Sequence, residues 1–234
     1  MQALAALAAE PRAAALLFDV DGTLAPIVAN PPDARVPEET REELRRLADR
    51  YALVACVSGR TAADAERIVG VPELTYVGEH GLELDPEAEA WAARVHAFAA
   101  RAAWPAEEKT LTAAFHFRTA EDPEAARRGL EQLEREAQAA GFRTRWGRLV
   151  LEILPPIDAS KATAVAHLVD LAGVRRALYA GDDTTDLDAF AALDGLDVAV
   201  RVAVASSEAP PGLREAADLV VESPAELAGL LAEL

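Results

Sequence analysis

Two aspartates separated by one residue, Asp19 and Asp21, follow an apolar run in the stretch LLFDVDGT. The apolar run predicts a buried strand at residues 16–20, and the Gly-Thr after Asp21 predicts a loop. Ligands of open α/β sheets bind beyond the carboxyl ends of the strands, where this pair would lie. Carboxylates there could attack an electrophile, transfer protons or hold a cation. Taken alone, the pair is equally compatible with an ordinary turn.

Three further polar clusters stand at strand ends or helix starts. Ser58, Gly59 and Arg60 follow the apolar run LVACV, Lys161 opens a helical pattern after Ser160, and GDDTTD at 181–186 follows ALYA. Because parallel strands end at the same edge of a sheet, all four clusters can converge although they are distant in sequence.

The chemistry of these clusters is complementary. Asp19, Asp182 and Asp186 offer hard oxygen ligands of the kind that Mg²⁺ prefers, and neither the four histidines nor the one cysteine has the spacing of a softer-metal site. Ser58 can donate to a phosphate, and Lys161 adds a positive charge at a helix N-terminus. Singly, Ser58 could cap a helix and Lys161 could face solvent. Their ordered conjunction favours a phosphate-handling site.

Apolar runs and helical patterns alternate through most of the chain, which predicts a doubly wound parallel α/β sheet. We expect helices at 37–50 and 160–173, and strands at 16–20, 53–57, 74–77, 177–180, 198–200 and 219–221.

The middle of the chain breaks this alternation. Residues 87–103 predict a helix, 110–118 a strand, 123–140 a long helix, and the segment around Trp146-Gly147-Arg148 a hairpin turn. We therefore predict a catalytic core at 1–81 and 159–234, with a smaller α+β cap domain for substrate recognition inserted at 82–158.

Composition limits the classes of partner and location. The formal net charge of −17 disfavours nucleic acid and anionic membrane as partners. The single cysteine, Cys56, excludes a disulfide within the chain and is expected to be a buried strand residue. No stretch approaches 18 apolar residues. We expect a cytoplasmic monomer.

The four motifs DVDGT, SGR, the lysine of SKATAV, and GDDTTD occur in the order typical of the haloacid dehalogenase superfamily, which this chain resembles. The resemblance implies a Rossmann-like core and a phosphatase in which Asp19 attacks phosphorus to form an aspartyl-phosphate. Asp21 would protonate the leaving alcohol and later activate water. Ser58, Gly59 and Lys161 would bind the phosphoryl group. The implied Mg²⁺ site consists of Asp19, the main-chain carbonyl of Asp21, and Asp182, with Asp183 and Asp186 supporting the metal loop.

The segments VGEHG, EEKTLTAAFHFR and GRLVLEILPP resemble trehalose-6-phosphate phosphatases. This resemblance implies a sugar phosphate substrate, trehalose 6-phosphate, whose sugar hydroxyls are held by the cap. The implied sugar-binding residues are Glu107, Lys109 and Glu152. By position, His80 after a strand end could also line the substrate site, and Arg60 could either contact the phosphate or only brace the loop. Two positions depart from the family pattern, since Ala162 stands where glycine is usual and Leu187 where an acidic residue is common.

Other functions stay open at this point. A phosphatase for glucosyl- or mannosyl-3-phosphoglycerate would need extra cations, which Arg143, Arg145 and Arg148 could supply. A phosphomutase would have to exclude water after phosphoryl transfer. A non-catalytic sugar-phosphate sensor need not retain Asp21, so the presence of both aspartates argues against it.

Overall fold

The computed structural model describes residues 2–147, 149–205 and 209–234. The chain forms two compact units, one built from the residues up to Gly81 together with Ala159–Leu234, the other from Leu82–Asp158. Arg148, expected in the hairpin turn and in a cation cluster, lies outside the described residues.

The first unit is a six-stranded sheet in the order β10-β9-β8-β1-β2-β3, and every neighbouring pair is parallel. Its strands are β1 Ala14–Phe18, β2 Leu53–Val57, β3 Thr75–Val77, β8 Arg176–Gly181, β9 Val198–Val204 and β10 Leu219–Val221. Its helices are α1 Gln2–Ala9, α2 Glu38–Arg50, α3 Ala62–Val69, α6 Lys161–Leu171, α7 Thr184–Ala191, α8 Pro211–Ala216 and α9 Pro224–Leu231. Short 3₁₀ segments occur at Pro11–Ala13, Pro31–Asp33 and Glu79–Leu84.

Strand β1 is buried on both faces, as in a parallel sheet covered by helices on each side. Leu16 and Phe18 pack into the hydrophobic core on one face, and Ala15 and Leu17 pack into the core on the other. Cys56 in β2 is fully buried, as expected, and burial raises the pKa of its thiol. The predicted doubly wound parallel sheet is confirmed.

The carboxyl ends of β8, β1 and β2 lie side by side, because β1 pairs with β8 on one edge and with β2 on the other. β1 ends two residues earlier than predicted. The chain turns beyond Asp19, and the carbonyl of Val20 accepts hydrogen bonds from the amides of Leu24 and Ala25. This turn places Asp19 and Asp21 in a loop rather than in the strand.

The second unit is an antiparallel sheet in the order β4-β5-β7-β6, with two helices. Its elements are α4 Ala88–Ala99, β4 Glu107–Glu108, β5 Ala113–His116, α5 Pro123–Ala139, β6 Arg143–Gly147 and β7 Val150–Leu154. β6 and β7 form the expected hairpin. The expectation of helix to residue 103 was wrong, because α4 ends at Ala99 and the following amides of Arg101 and Ala102 donate to carbonyls three residues back, in turns rather than in an α-helix. The two-glutamate strand β4 carries no β-propensity signal and was not predicted.

None of the described helices has the length and apolar character needed to cross a membrane.

Replacing Leu17 with alanine should lower the free energy of unfolding by about 2–5 kcal/mol, because the side chain is fully buried in the core of the first unit. Leu171, 75% exposed at the end of α6, provides the matched control, and its alanine variant should change stability by less than about 0.5 kcal/mol. Urea unfolding followed by circular dichroism measures both. Equal midpoints for the two variants would contradict the assignment of Leu17 to the core.

Candidate active site at the carboxyl edge of the parallel sheet

Lys161 places a buried positive charge at the N-terminus of α6. Ser160 caps the helix and accepts from the amide of Thr163, which fixes where Lys161 begins the first turn. The Lys161 Nζ lies 2.8 Å from Asp19 Oδ1 and 2.7 Å from Asp186 Oδ1. Burial alone would lower the pKa of Lys161, but the two carboxylates raise it above its ordinary value, so the side chain is charged.

The carboxylate of Asp186 accepts four hydrogen bonds and is completely buried. Lys161 and the Tyr179 hydroxyl donate to Oδ1, each at 2.7 Å, and the amides of Asp182 and Asp183 donate to Oδ2, each at 2.9 Å. Gly181 makes room for this carboxylate, since a Cβ there would lie 2.2 Å from the Asp186 Cγ. Asp186 thus joins α6, β8 and the loop before α7.

Asp182 and Asp19 face each other with few donors between them. Thr23, fully buried, donates to Asp182 Oδ1 at 3.3 Å. Burial raises the pKa of Asp19 to about 6, although the Lys161 ammonium opposes the rise. Burial and the repulsion of Asp19 and Asp186 raise the pKa of Asp182 to about 9. The close carboxylates therefore favour either a shared proton or a cation.

The donor set fits a hard divalent cation. One oxygen from each of Asp19, Asp182 and Asp186 lies within 4.8 Å of the others. Because both Asp186 oxygens already accept two hydrogen bonds each, Asp19 and Asp182 have the oxygens that remain for a cation. Asp183 is exposed and caps α7, accepting from the Thr184 amide at 2.7 Å. The structure thus brings Asp186 into the acidic cluster and leaves Asp183 at its margin.

The loop after β2 packs against His80. The Ser58 amide continues the pairing with β3 by donating to the Val77 carbonyl, and the Ser58 carbonyl accepts from the His80 amide. A Cβ at Gly59 would lie 2.5 Å from His80 Nε2, so a glycine is required for this approach. His80 has a φ of +56°, a left-handed conformation that is unusual for a residue with a side chain.

Arg60 makes a bidentate ion pair with Asp21. Its Nε lies 2.5 Å from Asp21 Oδ2 and its Nη2 lies 2.8 Å from Asp21 Oδ1. The same guanidinium donates to Asp64 Oδ2 at 2.7 Å and to the Pro31 carbonyl at 3.1 Å. The expected contact of Arg60 with substrate stays a prediction, since its donors are mostly engaged within the protein.

These side chains line one pocket of about 250 Å³. Its lining consists of Asp19, Asp21, Ile27, Ser58, Gly59, Arg60, His80, Lys161, Asp182, Asp183 and Thr185. The structure therefore gathers the predicted site residues of the first unit at one sheet edge, with Asp186 beneath them. A carboxylate beside a buried ammonium and a hydroxyl provides a nucleophile together with partners for an anion.

Two of the predicted residues of the second unit, Glu107 and Glu152, lie on one face of its sheet, and the third, Lys109, follows β4 and reaches Glu152 on that face. One residue from each of the four strands lies directly opposite its neighbour, so the four side chains share a face. These residues are Glu107 on β4, Ala114 on β5, Glu152 on β7 and Arg145 on β6. The alternate residues of β5 and β7, such as Phe115, pack into the core on the other face. We call Glu107, Lys109, Thr112, Arg145 and Glu152 the polar face.

Glu152 is the buried centre of the polar face. Its carboxylate accepts from Lys109 at 2.8 Å, from Thr112 at 3.0 Å and from the Arg145 guanidinium, whose Nε lies 3.2 Å away. Burial alone would raise the pKa of Glu152, but Arg145 and Lys109 lower it to about 2. Glu107 pairs instead with His116 at 2.6 Å, where both side chains are exposed.

Sequence reasoning missed the residues that hold the predicted ones. Thr23, Tyr179 and Thr112 each donate to a predicted carboxylate. Arg145, which the sequence suggested only as a cation for a phosphoglycerate, donates to Glu152. Thr23 belongs to the DVDGT motif itself and could have been included. The partners of Glu152 depend on strand register, which no local pattern in the sequence reveals.

Comparison with known proteins identifies the family of the chain. The family model described as trehalose-phosphatase matches residues 17–104 and 105–217. The chain belongs to the trehalose-phosphatase family. The predicted resemblance and the expected phosphatase class are thereby confirmed.

Relatives and solved structures point the same way. The chain is 32% identical to a trehalose 6-phosphate phosphatase of Zea mays, over 97% of this chain and 71% of that protein. It is 34% identical to the trehalose-phosphate phosphatase of Mycobacterium ulcerans, over 80% of this chain, and spans about half (53%) of that protein's length.

The structure of the trehalose-6-phosphate phosphatase from Aspergillus fumigatus superposes with a TM-score of 0.70 at 26% identity, covering 99% of this chain and 95% of that one. A haloacid dehalogenase-like hydrolase from Bacteroides thetaiotaomicron, 16% identical with a TM-score of 0.62 over 93% of this chain and 98% of that one, shares the fold. The expected haloacid dehalogenase fold is confirmed.

Replacing Asp182 with asparagine should raise the melting temperature of the metal-free protein. The pKa of Asp182 is raised from 3.8 to about 9, so the folded protein holds the proton more tightly than the unfolded chain does. The free energy of unfolding of the wild type is therefore unaffected by this group below about pH 4 and falls as the pH rises towards 9. The advantage of the variant should therefore grow between these pH values, by roughly 2–4 °C for each kcal/mol of repulsion relieved.

Thermal unfolding in a chelator, with and without added Mg²⁺, measures this effect. We expect Mg²⁺ to stabilise the wild type more than the Asp182→Asn variant, because the variant has one carboxylate fewer in the acidic cluster. A variant less stable than the wild type at every pH would show that Asp182 does not sit under repulsion.

Proposed function

We propose that this protein is a Mg²⁺-dependent phosphatase that hydrolyses trehalose 6-phosphate to trehalose and phosphate through an aspartyl-phosphate on Asp19. The observation that carries the proposal is the Asp19 carboxylate, held by Lys161 in a pocket with Ser58 and Asp182 at the end of the central strand. Membership of the trehalose-phosphatase family supports the substrate. Cytoplasmic location and a monomeric state stay predictions.

In the first step an Asp19 oxygen attacks phosphorus and the bond from phosphorus to the sugar oxygen breaks. Asp21 donates a proton to that leaving oxygen. Lys161, with the Ser58 hydroxyl and the backbone of Gly59, binds the phosphoryl oxygens, whose charge is spread in the transition state. Positive charge from a buried ammonium is most effective in such a partly desolvated site.

In the second step water attacks the aspartyl-phosphate. Asp21, now a carboxylate, accepts a proton from that water, the bond between Asp19 and phosphorus breaks, and inorganic phosphate leaves. Asp19 and Asp21 lie two residues apart because one reaches phosphorus while the other reaches the oxygen that departs or enters. Dividing the reaction into two displacements lowers a barrier that is otherwise among the highest known for hydrolysis.

The side chains of Asp19 and Asp182 and the main-chain carbonyl of Asp21 would hold Mg²⁺, which supplies charge neutralisation for the phosphate oxygens when bound. The raised pKa values of Asp19 and Asp182 support this assignment, since a divalent cation offsets the burial and the repulsion between carboxylates that raise them. Asp186 supports the site by holding the amides of Asp182 and Asp183.

The polar face of the second unit is the proposed site for the sugar hydroxyls. A carboxylate has about four acceptor sites, and those of Glu152 are taken by Lys109, Thr112 and two donors of Arg145. Glu152 therefore orients the two cations, and Lys109 offers its remaining N–H donors to the sugar. Glu107 is exposed and adds acceptor oxygens.

The two described arginines near this face disfavour a glycosyl-phosphoglycerate as substrate. Arg145 is paired with Glu152, and Arg143 donates to the Ile157 carbonyl and to Asp158. Neither offers an uncompensated charge for the additional carboxylate of such a substrate. A neutral disaccharide suits these paired groups better.

Phosphate release in the presence of Mg²⁺ from a panel of sugar phosphates tests the proposal. The panel contains trehalose 6-phosphate, sucrose 6-phosphate, glucose 6-phosphate and the two glycosyl-phosphoglycerates. Trehalose 6-phosphate should have the highest kcat/KM, and Asp19→Asn should lose at least about 10³-fold in kcat because the nucleophile is removed. A preference for a phosphoglycerate would overturn the substrate, and full activity of Asp19→Asn would overturn the mechanism.

Replacing Lys109 with glutamine should raise KM for trehalose 6-phosphate about 10–100-fold, since a hydrogen bond from a charged group contributes roughly 1.5–3 kcal/mol. Arg135→Gln is the control, because it removes the same charge from an exposed position on α5, where Arg135 contacts Gln132. Steady-state kinetics of both variants measure the effect. An unchanged KM in Lys109→Gln would remove Lys109 from the proposed sugar site.

A further inference from the structure

Most hydrogen-bond donors of the Arg60 guanidinium are used by acceptors within the protein. A guanidinium has five N–H donors, and four hydrogen bonds run from Arg60 to Asp21, Asp64 and the Pro31 carbonyl. At most one N–H is left for a ligand. The side chain is only 16% exposed, although it lines the pocket. These contacts indicate a role directed at Asp21 rather than at a substrate.

The position of the Arg60 guanidinium is fixed from its other side by Asp64, in the first turn of α3. Asp64 Oδ2 accepts from Arg60 at 2.7 Å, and Oδ1 accepts from Arg67 Nε at 2.9 Å. The amide of Asp64 donates to the Thr61 side chain that caps the helix. The contacts therefore form a row of alternating charges that ends on α3 and consists of Asp21, Arg60, Asp64 and Arg67.

Asp21 depends on such a support because it lies in a loop beyond β1 and its side chain is 33% exposed. The two parallel hydrogen bonds from Arg60 fix both the position and the plane of the carboxylate. A lysine in place of Arg60 would keep the charge but lose this planar, two-point contact.

We propose that Arg60, held in place by Asp64, is a positioning residue that aligns the carboxyl group of Asp21 for proton transfer in both steps of the reaction. The inference rests on the proposed function, in which Asp21 protonates the leaving oxygen and then accepts a proton from water. Loss of the contact between Arg60 and Asp21 slows the two proton transfers, while Asp19 can still attack phosphorus.

The test compares two substrates with different needs for a proton. The sugar oxygen of trehalose 6-phosphate must be protonated as it leaves, whereas p-nitrophenolate leaves without a proton. With p-nitrophenyl phosphate and Mg²⁺, Arg60→Lys should release a burst of about one p-nitrophenolate per active site and then turn over slowly. With trehalose 6-phosphate, kcat should fall about 10–100-fold with little change in KM, less than the roughly 10²–10⁴-fold that general acid–base catalysis contributes in full, because Asp21 itself is retained.

Asp64→Asn provides a second variant that does not touch Asp21. It should show the same pattern with a smaller loss of kcat, about 3–10-fold, because Arg60 and its two hydrogen bonds to Asp21 are retained and only the support from Asp64 is weakened. Adding Asp64→Asn to Arg60→Lys should cause no further loss. Arg45→Lys, which alters an exposed ion pair with Glu38 on α2, is the matched control and should behave as the wild type.

Three outcomes overturn the inference. A raised KM with unchanged kcat in Arg60→Lys would make Arg60 a substrate ligand. Equal losses on both substrates without a burst would indicate a general structural defect. Additive losses in the double variant would separate Asp64 from Arg60. By contrast, a wild type that releases no phosphate, or an Asp21→Asn variant with full turnover, would overturn the proposed function and the inference together.

Discussion

The buried carboxylate of Asp186 is the interaction on which the rest of the site depends. Its four hydrogen bonds connect Lys161 on α6, Tyr179 on β8 and the two amides of the loop that carries Asp182. A buried carboxylate is tolerated only where all its acceptor positions are satisfied, so these donors hold one another in place. The ammonium that pairs with Asp19 is therefore positioned by a residue that need not contact any ligand.

Two carboxylates of this protein, Glu152 and Asp182, illustrate opposite uses of the same chemistry. Glu152 is surrounded by donors, and its pKa is lowered to about 2. Asp182 has Thr23 as its donor at 3.3 Å and two acidic neighbours, and its pKa is raised to about 9. The first is satisfied by the fold and stabilises it. The second costs stability in the absence of a cation, which is the arrangement expected where binding rather than folding supplies the missing charge.

The sequence was sufficient to predict the position of Asp19, Ser58, Lys161 and Asp182, because each stands at the end of an apolar run or at a helix start and parallel strands end at one edge. It was not sufficient for contacts between side chains distant in sequence. The pairing of Asp21 with Arg60 depends on how the loop after β1 turns. The contacts within the polar face of the second unit depend on the register between its strands. Periodicity carries information about which face a residue occupies, but none about which partner it meets.

The central strand pairs with β8 across the whole inserted segment, with Ala14 opposite Arg176. During synthesis β1 emerges early but gains that neighbour only after the intervening residues have left the ribosome, and joining such distant segments carries a large loop-closure entropy. We expect the second unit, whose strands and helices are all close in sequence, to form first. The pocket of the first unit, which needs residues from the segments before and after the second unit, would then form only after the second unit has folded.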